Sequence, residues 1–106
     1  MKAIVIGSGI AGLSAAIALR KAGLQVVLYE RAPVLTEVGA GISLWANALR
    51  ALDTIGAGAA VRERLQPLRV SEFRGDEGRT IAASFPASTL EAALGYHCLL
   101  YTSDAA

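Results

Sequence analysis

Residues 1–30 read MKAIVIGSGIAGLSAAIALRKAGLQVVLYE. Four apolar residues, Ala3-Ile4-Val5-Ile6, run directly into Gly7-Ser8-Gly9-Ile10-Ala11-Gly12. An apolar run without polar alternation suits a strand buried in a parallel sheet. The glycines that follow have separate jobs. Gly7 permits a tight turn off the strand, Gly9 removes the side chain that would hold a ligand away from the backbone, and Gly12 lets the next helix lie close to the sheet. That helix starts near Ile10, so its unpaired N–H groups and positive dipole end face the turn. Ala16 is small where helix and strand must touch. Arg20 and Lys21 place positive charge in the last turn, and Gly23 closes the helix as a C-cap. Gln25 to Tyr29 then reads as a second short parallel strand, with Glu30 at its C-terminal edge.

The order strand, glycine turn, helix, strand, acid is the fingerprint of a Rossmann-like βαβ unit that grips the diphosphate and ribose of a dinucleotide. A carboxylate at Glu30 can accept both ribose hydroxyls, and it repels a 2′-phosphate, so the adenosine half is expected to be unphosphorylated. A signal peptide or membrane anchor competes for Lys2 to Leu19. That reading leaves the Val26 to Glu30 strand unexplained, and the whole pattern stands against a reading of the glycines as ordinary turn residues.

Composition narrows the rest. At 106 residues the chain holds at most one small domain. Its net charge of +1 and pI of about 7.9 offer no electrostatic case for nucleic acid. One cysteine and one histidine exclude a disulfide framework or a metal cluster. Arg62, Glu63 and Arg64 read as a solvated mixed-charge face. The hydrophobic content of 54% is high for so short a chain and implies surface meant to be covered by other sequence.

Beyond Glu30, Pro33 stops the strand. Gly39-Ala40-Gly41-Ile42 could pass close to a ligand, although its residues alone favour a plain loop. Asn47 is expected to cap a helix running to about Ile55 and ended by Gly56. Ala57 to Leu65 reads as a second short helix with Val61 and Leu65 inward, and Pro67 ends that region. Leu68 to Arg74 and Arg79 to Phe85 read as strands of a hairpin closed by Gly75-Asp76-Glu77-Gly78. Pro86 breaks the second strand, and Ser88 or Thr89 caps a short helix to Leu94. The predicted architecture is therefore α/β: a Rossmann-like βαβ start, two short helices and a β-hairpin, together an incomplete domain.

Three segments carry a resemblance to a known family. They are Tyr29-Glu30-Arg31-Ala32-Pro33, then Glu37-Val38-Gly39-Ala40-Gly41-Ile42-Ser43-Leu44, then Asn47-Ala48-Leu49-Arg50-Ala51-Leu52. Residues 1 to about 97 resemble the N-terminus of FAD-dependent monooxygenases of the aromatic-hydroxylase type, the salicylate-hydroxylase-like flavoproteins. The opening glycine motif is common to many flavoproteins, and the later segments narrow the choice. Ala46 departs from the proline usual in that family, which loosens the loop without touching the chemistry.

The resemblance implies FAD as cofactor and NAD(P)H as co-substrate of the full-length enzyme, with a small aromatic substrate and a cytoplasmic location. It places Gly7, Gly9, Ile10, Ala11 and Gly12 at the FAD diphosphate. Glu30 falls at the adenosine ribose with Arg31 beside it, Gly41 and Ile42 lie along the ribityl and flavin side, and Trp45 packs. It names no catalytic residue in this chain. The family's later arginine, its Gly-Asp motif and its substrate domain have no counterpart here. The 106 residues are therefore expected to be inactive alone and poorly soluble, with apolar surface stranded on the first helix and second strand. The alternatives are a fragment of another FAD oxidoreductase and a non-catalytic dinucleotide-binding module.

Residues 98–106, CLLYTSDAA, resemble a translated sequencing adapter, the transposase end sequence of short-read libraries. The expected organisation is thus residues 1–97 as the N-terminal part of an FAD-binding domain and 98–106 as a non-native tail. Without Cys98 the remainder lacks cysteine, which fits a reducing compartment.

Overall fold

A computed structural model describes residues 1–35, 41–71, 74–79 and 85–102. The opening fingerprint folds as its spacing predicts. Strand β1 (Lys2–Ile6) leads through the glycine turn into helix α1 (Ile10–Lys21), and strand β2 (Gln25–Tyr29) returns beside β1. The two strands pair in parallel, with Lys2 opposite Gln25 and Ile6 opposite Tyr29. Gly23 sits one residue past the C-cap Ala22, in the left-handed region at φ +87°. Its N–H donates to Arg20 O and that of Leu24 to Leu19 O, the paired bonds of a Schellman closure.

The second half is built around strand β3 (Gly41–Leu44), helix α2 (Ala46–Ile55) and the five-residue helix α3 (Gly58–Arg62). Short strands β4 (Gln66–Pro67) and β5 (Val70–Ser71) follow. Strand β6 (Phe85–Pro86), helix α4 (Ala87–Leu94) and strand β7 (Leu99–Thr102) complete the described residues. Strand β7 lies between β3 and β4, antiparallel to both, and β5 pairs antiparallel with β6.

Several sequence expectations are corrected here. Gly41-Ile42 begin a strand rather than a plain loop, because β7 satisfies their backbone. Residues 36–40, including Gly39 and Ala40, lie outside the described residues. Asn47 is not the cap of α2. The helix starts at Ala46 with Trp45 as N-cap, and no side chain donates or accepts there. Burial of Ala46 and Leu49, at 5% and 1% exposed, sets the helix phase three residues apart and draws Ala46 inside. Trp45, expected to pack, is 47% exposed. Neither Ser88 nor Thr89 caps α4, which starts at Ala87 with Pro86 at the N-cap. The helix expected over Ala57 to Leu65 is regular only from Gly58 to Arg62, and Pro67 belongs to β4.

The hairpin is present in part. Gly78 N–H donates to Gly75 O and Gly75 N–H to Arg79 O, with Gly78 at φ +75°, which is a tight turn followed by a glycine bulge. Residues 72–73 and 80–84 of the expected strands lie outside the described residues.

Arg62 is not simply solvated. Its guanidinium forms two parallel bonds to the Asp53 carboxylate, at 2.6 and 2.8 Å, and so ties α3 to α2. This pairing lowers the pKa of Asp53. Two guanidinium groups approach the Tyr96 ring, with Arg50 Cζ 5.6 Å and Arg62 Cζ 5.8 Å from its centroid.

The core is thin. Its buried apolar residues among those described are Ala46, Leu49, Cys98 and Leu99. The chain exposes 8093 Å², whereas a compact 11.0 kDa protein would expose roughly 5600 Å². On α1, Ile10, Leu13 and Ile17 are 41–64% exposed, which matches the expected stranded surface. The other stranded surface is on β1 rather than β2. Ile4 and Ile6 are 62% and 86% exposed, whereas Val26, Val27 and Leu28 are half-buried, because β2 receives cover from α1 on one face. Among the described residues no helix is long and apolar enough to cross a membrane.

Candidate dinucleotide site

The glycine turn is built by close backbone approach. Gly7 takes φ +95° and donates its N–H to Tyr29 O at 2.7 Å, which joins the end of β1 to the end of β2. Gly12 faces that turn from the first turn of α1. A Cβ placed on it would lie 1.9 Å from Gly7 O. Gly9 differs: a Cβ there meets nothing within 4 Å. The protein leaves open space beside Gly9 and fills it beside Gly12, which matches the separate roles of the two positions. Gly9 is also the N-cap of α1, and it offers no side chain to satisfy the first-turn donors. The first turn carries no acidic residue. The N–H groups of Ile10, Ala11 and Gly12 belong to this turn, where an anion is favoured.

Glu30 closes the other side. Its Oε2 accepts from Ser8 N–H at 2.6 Å and from Ser8 Oγ–H at 2.7 Å, and its Oε1 accepts from Ala32 N–H at 2.8 Å. The carboxylate therefore spans from β2 to the glycine turn. These donors, Ala32 N–H first and then Ser8, hold its pKa down from 4.5 to about 2. Ser8 is the residue that sequence reasoning missed. It occupies the variable slot between two glycines, 22 residues from its partner, and only a strand pairing that was already assigned would have brought the two together.

The sign of the pH effect follows from the direction of that shift. A depressed carboxylate pKa contributes stability that is complete above the unfolded value of 4.5 and is lost as pH falls toward about 2. The amide shifts of Ser8 and Ala32 are expected to titrate together with a midpoint near 2. A midpoint near 4.5 would show that Glu30 does not hold the turn in solution.

The remaining sequence-predicted residues are distributed around this centre. Arg31 is exposed immediately after Glu30. Gly41 and Ile42 open β3, opposite Thr102 and Tyr101 of β7. Ile42 shares a cavity of about 510 Å³ with Ile10, Leu13 and Ile17 of α1 and with Leu44 and Leu52. Gly7 to Gly12 and Glu30 thus converge on one turn, while Ile42 faces a cavity that the apolar residues of the same helix also line.

Comparison with known proteins gives a consistent picture. Residues 5–36 match the family model of NAD(P)-binding Rossmann-like domains. Aurachin C monooxygenase/isomerase of Stigmatella aurantiaca is 39% identical over 92 residues, 87% of this chain and 24% of that protein. The 3-hydroxybenzoate 6-hydroxylase of Klebsiella oxytoca is 45% identical over 64 residues, 60% of this chain and 16% of that protein. The crystal structure of Klebsiella pneumoniae HpxO complexed with FAD and uric acid aligns at a TM-score of 0.79 and 35% identity, covering 96% of this chain and 25% of that one. The chain spans at most about a quarter of the length of these relatives.

Proposed function

Since FAD-dependent aromatic hydroxylases are the homologues and structural neighbours of this chain, we propose that it forms the first part of the FAD site of a monooxygenase acting on a small aromatic substrate with NAD(P)H and oxygen. The observation that carries this reading is the ionised Glu30 carboxylate held across the glycine turn. Gly7, Gly9, Ile10, Ala11 and Gly12 would hold the diphosphate at the start of α1, and Glu30 with Arg31 would meet the adenosine end. Gly41 and Ile42 would line the path toward the flavin. The flavin would supply the redox chemistry, and these residues would supply binding and orientation. None of the described residues is assigned as a catalytic acid, base or nucleophile, so the chain alone is expected to bind without turnover. Its place in the cell follows from the same family reading as cytoplasmic.

The test is binding rather than activity. Isothermal or NMR titration of ADP into the chain is expected to show binding that Glu30→Gln weakens about tenfold, because a charge-assisted contact becomes a neutral one. Adding a 2′-phosphate to the ADP is expected to weaken binding to the native chain further, by repulsion from Glu30. Equal binding of ADP by the native chain and the variant would sink the assignment.

The same reading separates residues 1–97, as cofactor-binding sequence, from residues 98–106, proposed to be a translated adapter. The nine-residue match of CLLYTSDAA supports it, and the packing of Leu99–Thr102 as β7 between β3 and β4, with Cys98 and Leu99 buried, stands against it. Resequencing the locus across the His97 codon decides it, and genomic DNA encoding the same nine residues would refute the proposal.

A further inference from the structure

We propose that Ser8 is a second ribose-binding residue, its hydroxyl accepting one hydroxyl of the adenosine ribose while it donates to Glu30. The inference rests on the reading that Glu30 receives that ribose, and it follows from counting acceptors. A carboxylate offers about four lone-pair positions. Three are used within the chain: Ser8 N–H and Ser8 Oγ–H both reach Oε2, and Ala32 N–H reaches Oε1; the Arg31 N–H bears on the same carboxylate. At most one position remains, yet a ribose diol brings two O–H donors. Glu30 alone cannot receive both without giving up a bond it already has.

Ser8 supplies the missing acceptor. Its single hydroxyl proton is committed to Glu30 at 2.7 Å, so the lone pairs of Oγ are left to accept. Donation to an anion also polarises Oγ and strengthens the bond it accepts. The place is suitable, because Ser8 precedes Gly9, where the backbone faces open space. The diol would then bridge Oε1 of Glu30 and Oγ of Ser8. Two backbone donors, Ser8 N–H and Ala32 N–H, hold the carboxylate without help from the hydroxyl. Removing the hydroxyl should therefore leave Glu30 in place and remove one ligand contact.

The experiment is an NMR titration of the 106-residue chain, native, Ser8→Ala and Glu30→Gln, with ADP, 2′-deoxy-ADP and 3′-deoxy-ADP. Ser8→Ala is expected to bind ADP about two- to tenfold more weakly than the native chain. One of the two deoxy nucleotides, the one lacking the hydroxyl that Ser8 accepts, is expected to bind both proteins equally. The Ala32 amide shift, which reports Glu30, should be unchanged in Ser8→Ala. If Ser8→Ala binds ADP as the native chain does, the proposal fails while the Glu30 assignment stands. If Ser8→Ala weakens all three nucleotides by the same factor, the serine acts on turn geometry and the proposal fails as well. If ADP does not bind the native chain, or binds without dependence on Glu30, the ribose reading itself fails.

Discussion

Gly12→Ala is expected to destabilise the chain by about 3 kcal/mol, the upper end of the usual cost of overpacking. The new methyl would lie 1.9 Å from Gly7 O and 3.0 Å from Gly7 C. These are backbone atoms, so no side-chain rotation relieves the clash. Either α1 lifts away from the sheet or the turn moves. If the turn moves, it breaks the Gly7 to Tyr29 bond and displaces Ser8 from Glu30. The urea midpoint should fall with little change in slope, and ADP binding should be lost with it. Gly9→Ala is the contrasting case. Its backbone, at φ −65°, suits alanine, and its methyl would enter open space. Its stability should change by less than about 1 kcal/mol, the scale of an N-cap effect, while nucleotide binding falls because the methyl occupies the ligand's side of the turn. Equal midpoints for Gly12→Ala and the native chain would show that the helix does not approach the turn as described.

Leu49→Ala is expected to cost about 3 kcal/mol, within the range for truncating a buried leucine. Leu49 is 1% exposed, and it is the only fully buried large side chain among those described. It lines a cavity of about 530 Å³ together with Leu65, Pro67, Tyr96 and Leu99. That adjoining space limits how far neighbours can collapse onto the lost volume, which holds the cost above that of a simple transfer term. In a chain with so thin a core, a loss of this size is a large fraction of total stability. Chemical denaturation checks it, and a loss below about 1 kcal/mol would show that the second half does not pack around Leu49.

What was legible in the sequence depended on how local its signals were. The β1–α1–β2 unit was legible because strand, glycine turn and helix follow one another within 30 residues and each constrains the next. Parallel pairing followed from the helix between the strands. The start of α2 was misplaced because Asn47 is a good cap by type, whereas the register is set by the burial of Ala46 and Leu49. Arg62 reads as solvated charge in the sequence because its partner Asp53 sits nine residues away on a different helix, outside the spacing that one helix makes visible. Ser8 escaped for a related reason, since its role exists only once β2 has returned beside β1. The β3–β7 pairing joins segments about 60 residues apart, and composition gives no signal for such a partnership.

The parallel register has a kinetic consequence. All five β1–β2 pairs have the same sequence separation, 23 residues, from Lys2–Gln25 to Ile6–Tyr29. The first pair to form must close that loop, at roughly 3 kcal/mol of chain entropy plus a constant. The other four then form at no further closure cost. The unit should therefore zip as one cooperative step, with α1 as the stiff spacer that brings the strand ends within reach. The Glu30–Ser8 clasp lies at the far end of the zipper, beyond Ile6–Tyr29. Its amides should exchange with solvent at the rate of the whole unit when the clasp is closed, and faster than those of β1 when acid opens it.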